Sequence, residues 1–256
     1  MRDVESYFVS PIRRTDRDVL WRTFKIFVKA VEKSKIRYFI VGGSLVGSYR
    51  HHAMIPWDDD VDVMMDADDK PLVYKALANL GPEYRLDANM PYDRDEVRYW
   101  PWKFYSFAGR RLAHRRYRTP YVDLFFYRQN RTHVWNETPW LMAKEVWPKG
   151  VVFPLGRRPF VDLTVPSVRE PVRYLAGYGV DVTVCETRRY DHVAERDLEG
   201  NGLVVAIPCR RLERIFPFVR RIACNGTSVV ERLALGDWIL SEVTLSGGDA
   251  VCERPL

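Results

Sequence analysis

The chain has 256 residues, 46% of them hydrophobic, with 40 Lys plus Arg against 34 Asp plus Glu. That is the composition of an ordinary folded protein, long enough to bury a full core without covalent staples, and it excludes global disorder. The net charge of +6 is modest; 31 of the 40 basic residues are Arg, which fits either a compositional bias or a need for bidentate grips on phosphate or carboxylate.

In chain order, apolar residues Val19, Leu20, Phe24, Phe27, Val28 and Val31 recur at spacings of three and four. They predict a helix over residues 16 to 35, capped by Thr15 or Asp16. Ile36 to Val41 reads as a short strand running into Gly42-Gly43-Ser44, with a short helix through about Tyr49. Val61 to Met65 is a second strand, and Asp69 to Leu80 a second helix stopped by Gly81. The runs Tyr99 to Phe107 and Tyr121 to Tyr127, aromatic and β-branched, predict strands joined through the basic turn Gly109 to Arg118. Further on, a helix is expected over Trp135 to Trp147, strands over Val151 to Leu155 and Phe160 to Val165, and a helix over Pro171 to Tyr178. From about Gly200 Arg pairs alternate with short apolar runs, and no element is assigned there.

The acidic stretch Asp58-Asp59-Asp60-Val61-Asp62 is the most informative. Alternate side chains of a strand share a face, so Asp60 and Asp62, and Asp58 if the strand starts early, point one way. Carboxylates that close repel, and protonation, basic neighbours or a divalent cation must relieve them; oxygen ligands in an apolar frame favour magnesium or manganese. The alternative is an acidic solvated turn after Pro56, which the flanking Val61, Val63 and Met64 argue against. Gly42, Gly43 and Ser44, between a strand and a helix N-terminus, form a turn that can also let backbone amides approach a phosphate. Asp123, a lone acid in the apolar run Tyr121 to Tyr127, is the candidate third carboxylate, either functional or in a structural ion pair.

Four cysteines, Cys185, Cys209, Cys224 and Cys252, lie too far apart for a zinc knuckle and allow three pairings. Half of the six Asn residues, Asn130, Asn136 and Asn225, open a glycosylation acceptor triplet, which tilts the compartment toward a secretory lumen. No stretch has the roughly 18 apolar residues of a membrane span, and the charged start is unlike a signal peptide. A luminal protein would then have an incomplete N-terminus here; in the cytoplasm the triplets would be idle.

The run GGSLVGSYRHHAMIPWDDDVDVMM, Gly42 to Met65, resembles the LicD family, which includes fukutin and fukutin-related protein and is a branch of the polymerase-β-like nucleotidyltransferases. Weaker similarity continues through Tyr121-Val-Asp-Leu-Phe, Trp147-Pro-Lys, Phe153-Pro-Leu and Arg158-Pro-Phe160 to Tyr178-Gly179, Cys185 and His192. It spans roughly residues 17 to 195. The resemblance implies an α+β, nucleotidyltransferase-like fold: a mixed sheet with the acids at one end and helices on one face, elaborated C-terminally. Residues 1–199 would form that domain and residues 200–256 an unassigned extension.

The resemblance also implies transfer of a phosphorylated alcohol, such as phosphocholine or ribitol phosphate, from a CDP-activated donor to a glycan or glycoprotein hydroxyl, with Mg2+ or Mn2+ as cofactor. Asp60, Asp62 and Asp123 would be the catalytic and metal carboxylates, Asp58 a possible fourth ligand, and Asp123 the group assisting deprotonation. Gly42, Gly43 and Ser44 would hold the donor phosphates. Arg50, with His51 close by, has two readings, a phosphate partner or a salt-bridge partner of the acids. Lys103 is either a stabiliser of the leaving nucleotide phosphate or a surface lysine, Trp57 a core residue or a base platform, and His192 has no assigned chemistry. The expected compartment is the Golgi or another secretory lumen, with a cytoplasmic protein as the alternative. Two competing functions remain open: an inactive glycan- or partner-binding relative, and a nucleic-acid-binding module, whose phosphate backbone the acidic stretch would repel without metal.

Overall fold

A computed structural model describes residues 4–88, 101–113, 115–198, 204–224 and 228–246. The first half comprises α1 (Arg14–Lys33), β1 (Tyr38–Ile40), α2 (Gly42–His51), β2 (Val61–Asp66), α3 (Lys70–Leu77), β3 (Tyr84–Asp87), β4 (Trp102–Arg111) and β5 (Arg118–Gln129). It continues through β6 (His133–Asn136), α4 (Pro139–Met142), β7 (Val146–Pro148), α5 (Lys149–Val152), β8 (Gly156–Phe160), β9 (Leu163–Ser167) and α6 (Pro171–Ala176). The remaining elements are short strands β10 (Val184–Glu186), β11 (Tyr190–Asp191), β12 (Arg196–Asp197) and β13 (Ala206–Pro208), then β14 (Phe218–Cys224), β15 (Ser228–Leu235) and β16 (Trp238–Ser246).

The central sheet runs β1-β2-β5-β4-β3, with β6 and β7 continuing from the far end of β5. β2 and β5 are parallel and the other neighbours antiparallel. The fold is therefore α+β with a mixed sheet, as the sequence predicts. α1 earns its place through Leu20, Phe24, Phe27 and Val31, all fully buried on one stripe. Asp16 acts inside the first turn rather than as the cap, its carboxylate accepting the Arg13 N–H at 3.3 Å. Phe27 meets Tyr38 and Phe104 on this face of the sheet, while Phe39 meets Tyr127 and Phe153 on the other. The helices thus lie on both faces, not one, because β1, β2 and β5 are buried on each side and both need cover.

Three expected elements are corrected. The segment Trp135 to Trp147 is two strands around a single helical turn, not one helix. Asn136 donates from its amide to Glu145 at 2.8 Å and accepts the Thr138 N–H at 3.0 Å, holding a turn that Pro139 then enters. Val151 to Leu155 is not a strand: Val151 and Val152 end the short helix α5, before Pro154. Phe160 to Val165 is split by a tight turn at Val161, whose φ is +59°, so that β8 and β9 pair as a hairpin. The Tyr99–Phe107 expectation falls partly outside the described residues, and its described part is the start of β4. The connection expected over Gly109 to Arg118 joins β4 to β5 as predicted, with the strands entering its two ends and pairing as far as Arg111 with Arg118.

Past residue 200, β14, β15 and β16 form an antiparallel sheet seated on α2. Its anchor is Glu231, which is fully buried and receives hydrogen bonds from Arg158 at 2.8 and 3.0 Å, with His52 at 2.8 Å and Arg221 at 2.7 Å also on its carboxylate. Burial by itself would raise this carboxyl; His52, Arg158 and Arg221 overcome it and bring Glu231 down to about 2. Arg221 also stacks 3.6 Å over the Tyr49 ring. A second apolar cluster joins Phe8, Trp57, Cys185, Cys209, Leu212 and Phe218, and Cys185 is disulfide-bonded to Cys209. Cys252 and the Asn225 triplet lie outside the described residues. Among the described residues no helix is long and apolar enough to cross a membrane.

Replacing Glu231 by Ala leaves Arg158, 1% exposed, with an uncompensated charge. Loss of a buried partner of this kind costs about 3–5 kcal/mol. Urea unfolding of Glu231→Ala is expected to lose that much, and a loss below about 1 kcal/mol would contradict the anchoring role.

Candidate active site

The strand register builds the site. Asp62 on β2 stands directly opposite Asp123 on β5, and Asp123 opposite Lys103 on β4, so the three side chains form a row across adjacent strands. Asp60 joins from the extended residues just before β2, and Asp60, Asp62 and Asp123 each offer an oxygen within 4.8 Å of the others. The strand begins at Val61, so the proximity of Asp58 and Asp60 comes from the chain's entry into the strand and not from strand alternation.

The glycines answer a steric demand at the same place. Gly42 has φ +51°, and a Cβ there would stand 2.8 Å from Asp62 Oδ2; at Gly43 it would stand 2.5 Å from Asp58 Oδ2. The Gly43 N–H donates to Asp62 Oδ2 at 3.1 Å, and the Asp62 N–H donates to Ser44 Oγ at 2.8 Å. The positive end of α2 therefore already faces carboxylate.

Burial is the main force on these acids. It pushes Asp58 up to about 6, helped by Asp59, and Asp62 up to about 7, helped by Asp123 and Asp58. Asp60 is raised well above the usual carboxylate range by burial, against the opposing pull of His192. Lys103 Nζ donates to Asp123 Oδ1 at 2.6 Å and lies 3.8 Å over the Tyr121 ring. The surface reading of Lys103 gives way to this arrangement: the ammonium is largely buried beside the third acid.

Arg50 and His51 find their partners away from the acids, although Arg50 also lines the cavity beside them. Arg50 donates to the carbonyls of Asp181, Val182 and Val184 at 2.6–2.9 Å, so its partners are backbone oxygens, which neither sequence reading named. Burial lowers His51 to about 4, and its ring packs on Phe218 while Nδ1 meets the Pro217 carbonyl at 2.6 Å. Trp57 is a core residue packed on Phe8 and Phe216, with one edge on the cavity.

The residue that sequence reasoning left without a role is His192. Its Nδ1 lies 2.6 Å from Asp59 Oδ1 and its Nε2 3.1 Å from Asp60 Oδ2. Burial would lower this imidazole, but Asp60, Asp59 and Asp123 raise it to about 10. Its match to a family position, in Tyr190-Asp191-His192, was the available signal. Asp59, fully buried, also escaped notice, because alternation sent it to the opposite face. Beside the acids opens a cavity of about 520 Å³, with Asp58, Asp60 and Asp62 on one wall and Trp57, Tyr178 and Tyr190 among the others.

A mixed sheet that gathers three carboxylates at the N-terminus of a glycine-led helix defines a nucleotidyltransferase-like protein. The family model for LicD/FKTN/FKRP, nucleotidyltransferase domain, matches residues 35–168, and the chain belongs to that family. Among curated relatives, the lipopolysaccharide cholinephosphotransferase LicD of Haemophilus influenzae is 53% identical over 38 residues, 15% of this chain and 14% of that protein. The ribitol 5-phosphate transferase FKRP of Homo sapiens, like that of Mus musculus, is 46% identical over 44 residues, 17% of this chain and 9% of the relative. The similarity thus spans a small fraction of each relative's length. Those relatives are named as transferases.

A carboxyl whose pKa is raised on folding holds its proton longer in the folded state, so stability falls as pH climbs from the ordinary 3.8 through the raised value. His192, raised from 6.5 to about 10, stabilises below 6.5 and loses that contribution as pH rises toward 10. The melting temperature of chelator-treated protein is therefore expected to fall between about pH 5 and pH 8, and millimolar Mn2+ to restore more at the higher pH. A flat profile would count against the raised carboxyls, and so against both their burial and their mutual repulsion.

Proposed function

We propose that the protein is a metal-dependent transferase moving a phosphorylated alcohol, phosphocholine- or ribitol-phosphate-like, from a CDP-activated donor to a glycan hydroxyl. The observation that carries this reading is the trio Asp60, Asp62 and Asp123, gathered with Asp60 and Asp123 buried and Asp62 half-buried, with raised pKa values at Asp60 and Asp62, the two that line the cavity. Hard oxygen donors whose charges repel are the donor set that Mg2+ or Mn2+ satisfies. Those three residues would hold the ion, with Asp58 adjacent; a bound divalent ion would offset charge developing on the phosphates.

The chain's own groups do the rest. Gly42 and Gly43 let the donor phosphates come close to the acids and to the positive end of α2. The acceptor oxygen forms its bond to the distal phosphorus as the bond to CMP breaks, and the hydroxyl proton passes to a carboxylate, which we assign to Asp123. Lys103 stabilises the Asp123 carboxylate and reaches the phosphates through it. Tyr178, Trp57 and Tyr190 line the cavity and exclude water from the reacting atoms.

A secretory lumen, such as the Golgi, is the compartment we assign. Asn130 is exposed in the turn between β5 and β6, and the Cys185–Cys209 bond suits an oxidising setting. Asn136 does not contribute, since its buried amide is bonded to Glu145. Expressed through a eukaryotic secretory pathway, the protein should shift on glycosidase treatment, with the shift reduced by Asn130→Gln and unaffected by Asn136→Gln.

The activity is tested by calorimetric titration of CDP and CDP-alcohols with and without Mg2+. Binding is expected to need metal and to fall at least tenfold in Asp60→Ala plus Asp62→Ala. No binding to folded wild type under either condition would sink the CDP-donor reading and favour a non-catalytic glycan or partner binder.

A further inference from the structure

The segment carrying His192 lies beyond the 35–168 stretch matched by the family model, yet it reaches back into the acids. Its ring stands edge-on to Tyr121 at 5.6 Å and tilted against Tyr190 at 5.0 Å, so aromatic contacts on two sides fix its plane. Both nitrogens are engaged, one by Asp59 at 2.6 Å and the other by Asp60 at 3.1 Å. Asp59 is a firm anchor: it is fully buried, and Arg188 from the same segment approaches its second oxygen at 3.5 Å.

The geometry points to His192 as a positioning residue, clamped on Asp59, that fixes the Asp60 carboxylate in the orientation from which it meets Asp62 and Asp123. This rests on the metal-dependent transferase reading. Asp59, Asp60 and His192 also lie close enough together to suggest a second ion site. The ring is hydrogen-bonded through Nδ1 to Asp59 and ion-paired through Nε2 to Asp60, and a nitrogen paired in that way has no lone pair to give a cation, so the trio acts as a clamp. A free carboxylate rotates about its terminal torsion in a broad well, and an ion must then arrest that rotation as it binds. A partner held from outside the ligand set removes that cost in advance, which is how such outer contacts tune metal sites. The clamp also explains the third acid of the Asp58-Asp59-Asp60 run: the central one holds the holder.

The test is calorimetric titration of Mn2+ into the chelator-treated full chain, with the electron paramagnetic resonance of bound Mn2+ recorded alongside. Wild type is expected to bind, and Asp62→Asn to lose most of the binding. His192→Gln, able to serve one carboxylate but not to span two, should bind about 10- to 100-fold more weakly with a broadened Mn2+ spectrum, while still unfolding cooperatively. Asp59→Asn should move affinity the same way by a smaller factor, and the double variant should be no weaker than His192→Gln alone, because Asp59 acts through His192. Wild-type affinity and spectrum in folded His192→Gln would overturn the positioning role and leave the transferase reading standing. If His192→Gln does not fold, unchanged affinity in Asp59→Asn overturns it equally. Absence of Mn2+ binding by wild type would overturn both.

Discussion

Five carboxylates, Asp58, Asp59, Asp60, Asp62 and Asp123, share one corner of the sheet, and most of what surrounds them serves to make their mutual repulsion bearable. Among the described residues the cations that reach them are Lys103, His192, Arg188 and, from α1, Arg17, fewer than the acids they face. Burial first, and the remaining excess of negative charge second, raise the pKa values of Asp58, Asp60 and Asp62, so part of that charge is held as protons. A fold optimised for stability alone would not keep such a cluster. Its persistence in an otherwise well-packed core is what directs attention to function.

The same repulsion gives the glycines their second duty. Gly42 and Gly43 look from sequence like room left for a phosphate. In the folded chain much of that room is already taken by the chain's own acids, with Asp62 accepting from the Gly43 amide and Asp58 approaching where a Cβ would stand. A helix N-terminus favours any negative charge, whether ligand or side chain. Carboxylates at that position define where a phosphate can come, with both kinds of anion sharing one pole of α2.

Much of the first half of the chain was legible because its periodicities are clean. The stripe Leu20, Phe24, Phe27 and Val31 admits one answer, and the apolar runs of β2 and β5 admit one answer each. The acids of the site were legible for a related reason: Asp123 is conspicuous inside an apolar strand. Where local chemistry overrides periodicity, the sequence misleads. Trp135, Trp140 and Trp147 look like a helix, but the Asn136 turn and Pro139 break the register, and Trp140 ends half exposed while Trp147 is buried. His192 was illegible for a different reason, since its partners are more than 130 positions away and nothing local in Tyr190-Asp191-His192 announces them. Arg50 is the reverse case. An arginine before an acidic run invites an ionic reading, and the backbone carbonyls it found leave no trace in a sequence.

Those carbonyls explain why residues beyond the family's matched stretch belong to the working of the site. α2 is ten residues long, roughly 15 Å of rigid rod. Its first turn touches the acids, and its last turn carries Arg50, His51 and, at the cap, His52. Arg50 ties down residues 181–184, next to the Cys185–Cys209 bond; His51 packs on Phe218; His52 meets Glu231. The segment secured by Arg50 runs on through Glu186 and Arg188 to His192, so the end of α2 farthest from the acids fixes the approach of the histidine that returns to them. A substitution in the C-terminal sheet can therefore reach the carboxylates by two routes, along the rod and through the returning segment, without touching any of them. The residues that set charge in the site and the residues that set its geometry are different sets, joined by one short helix.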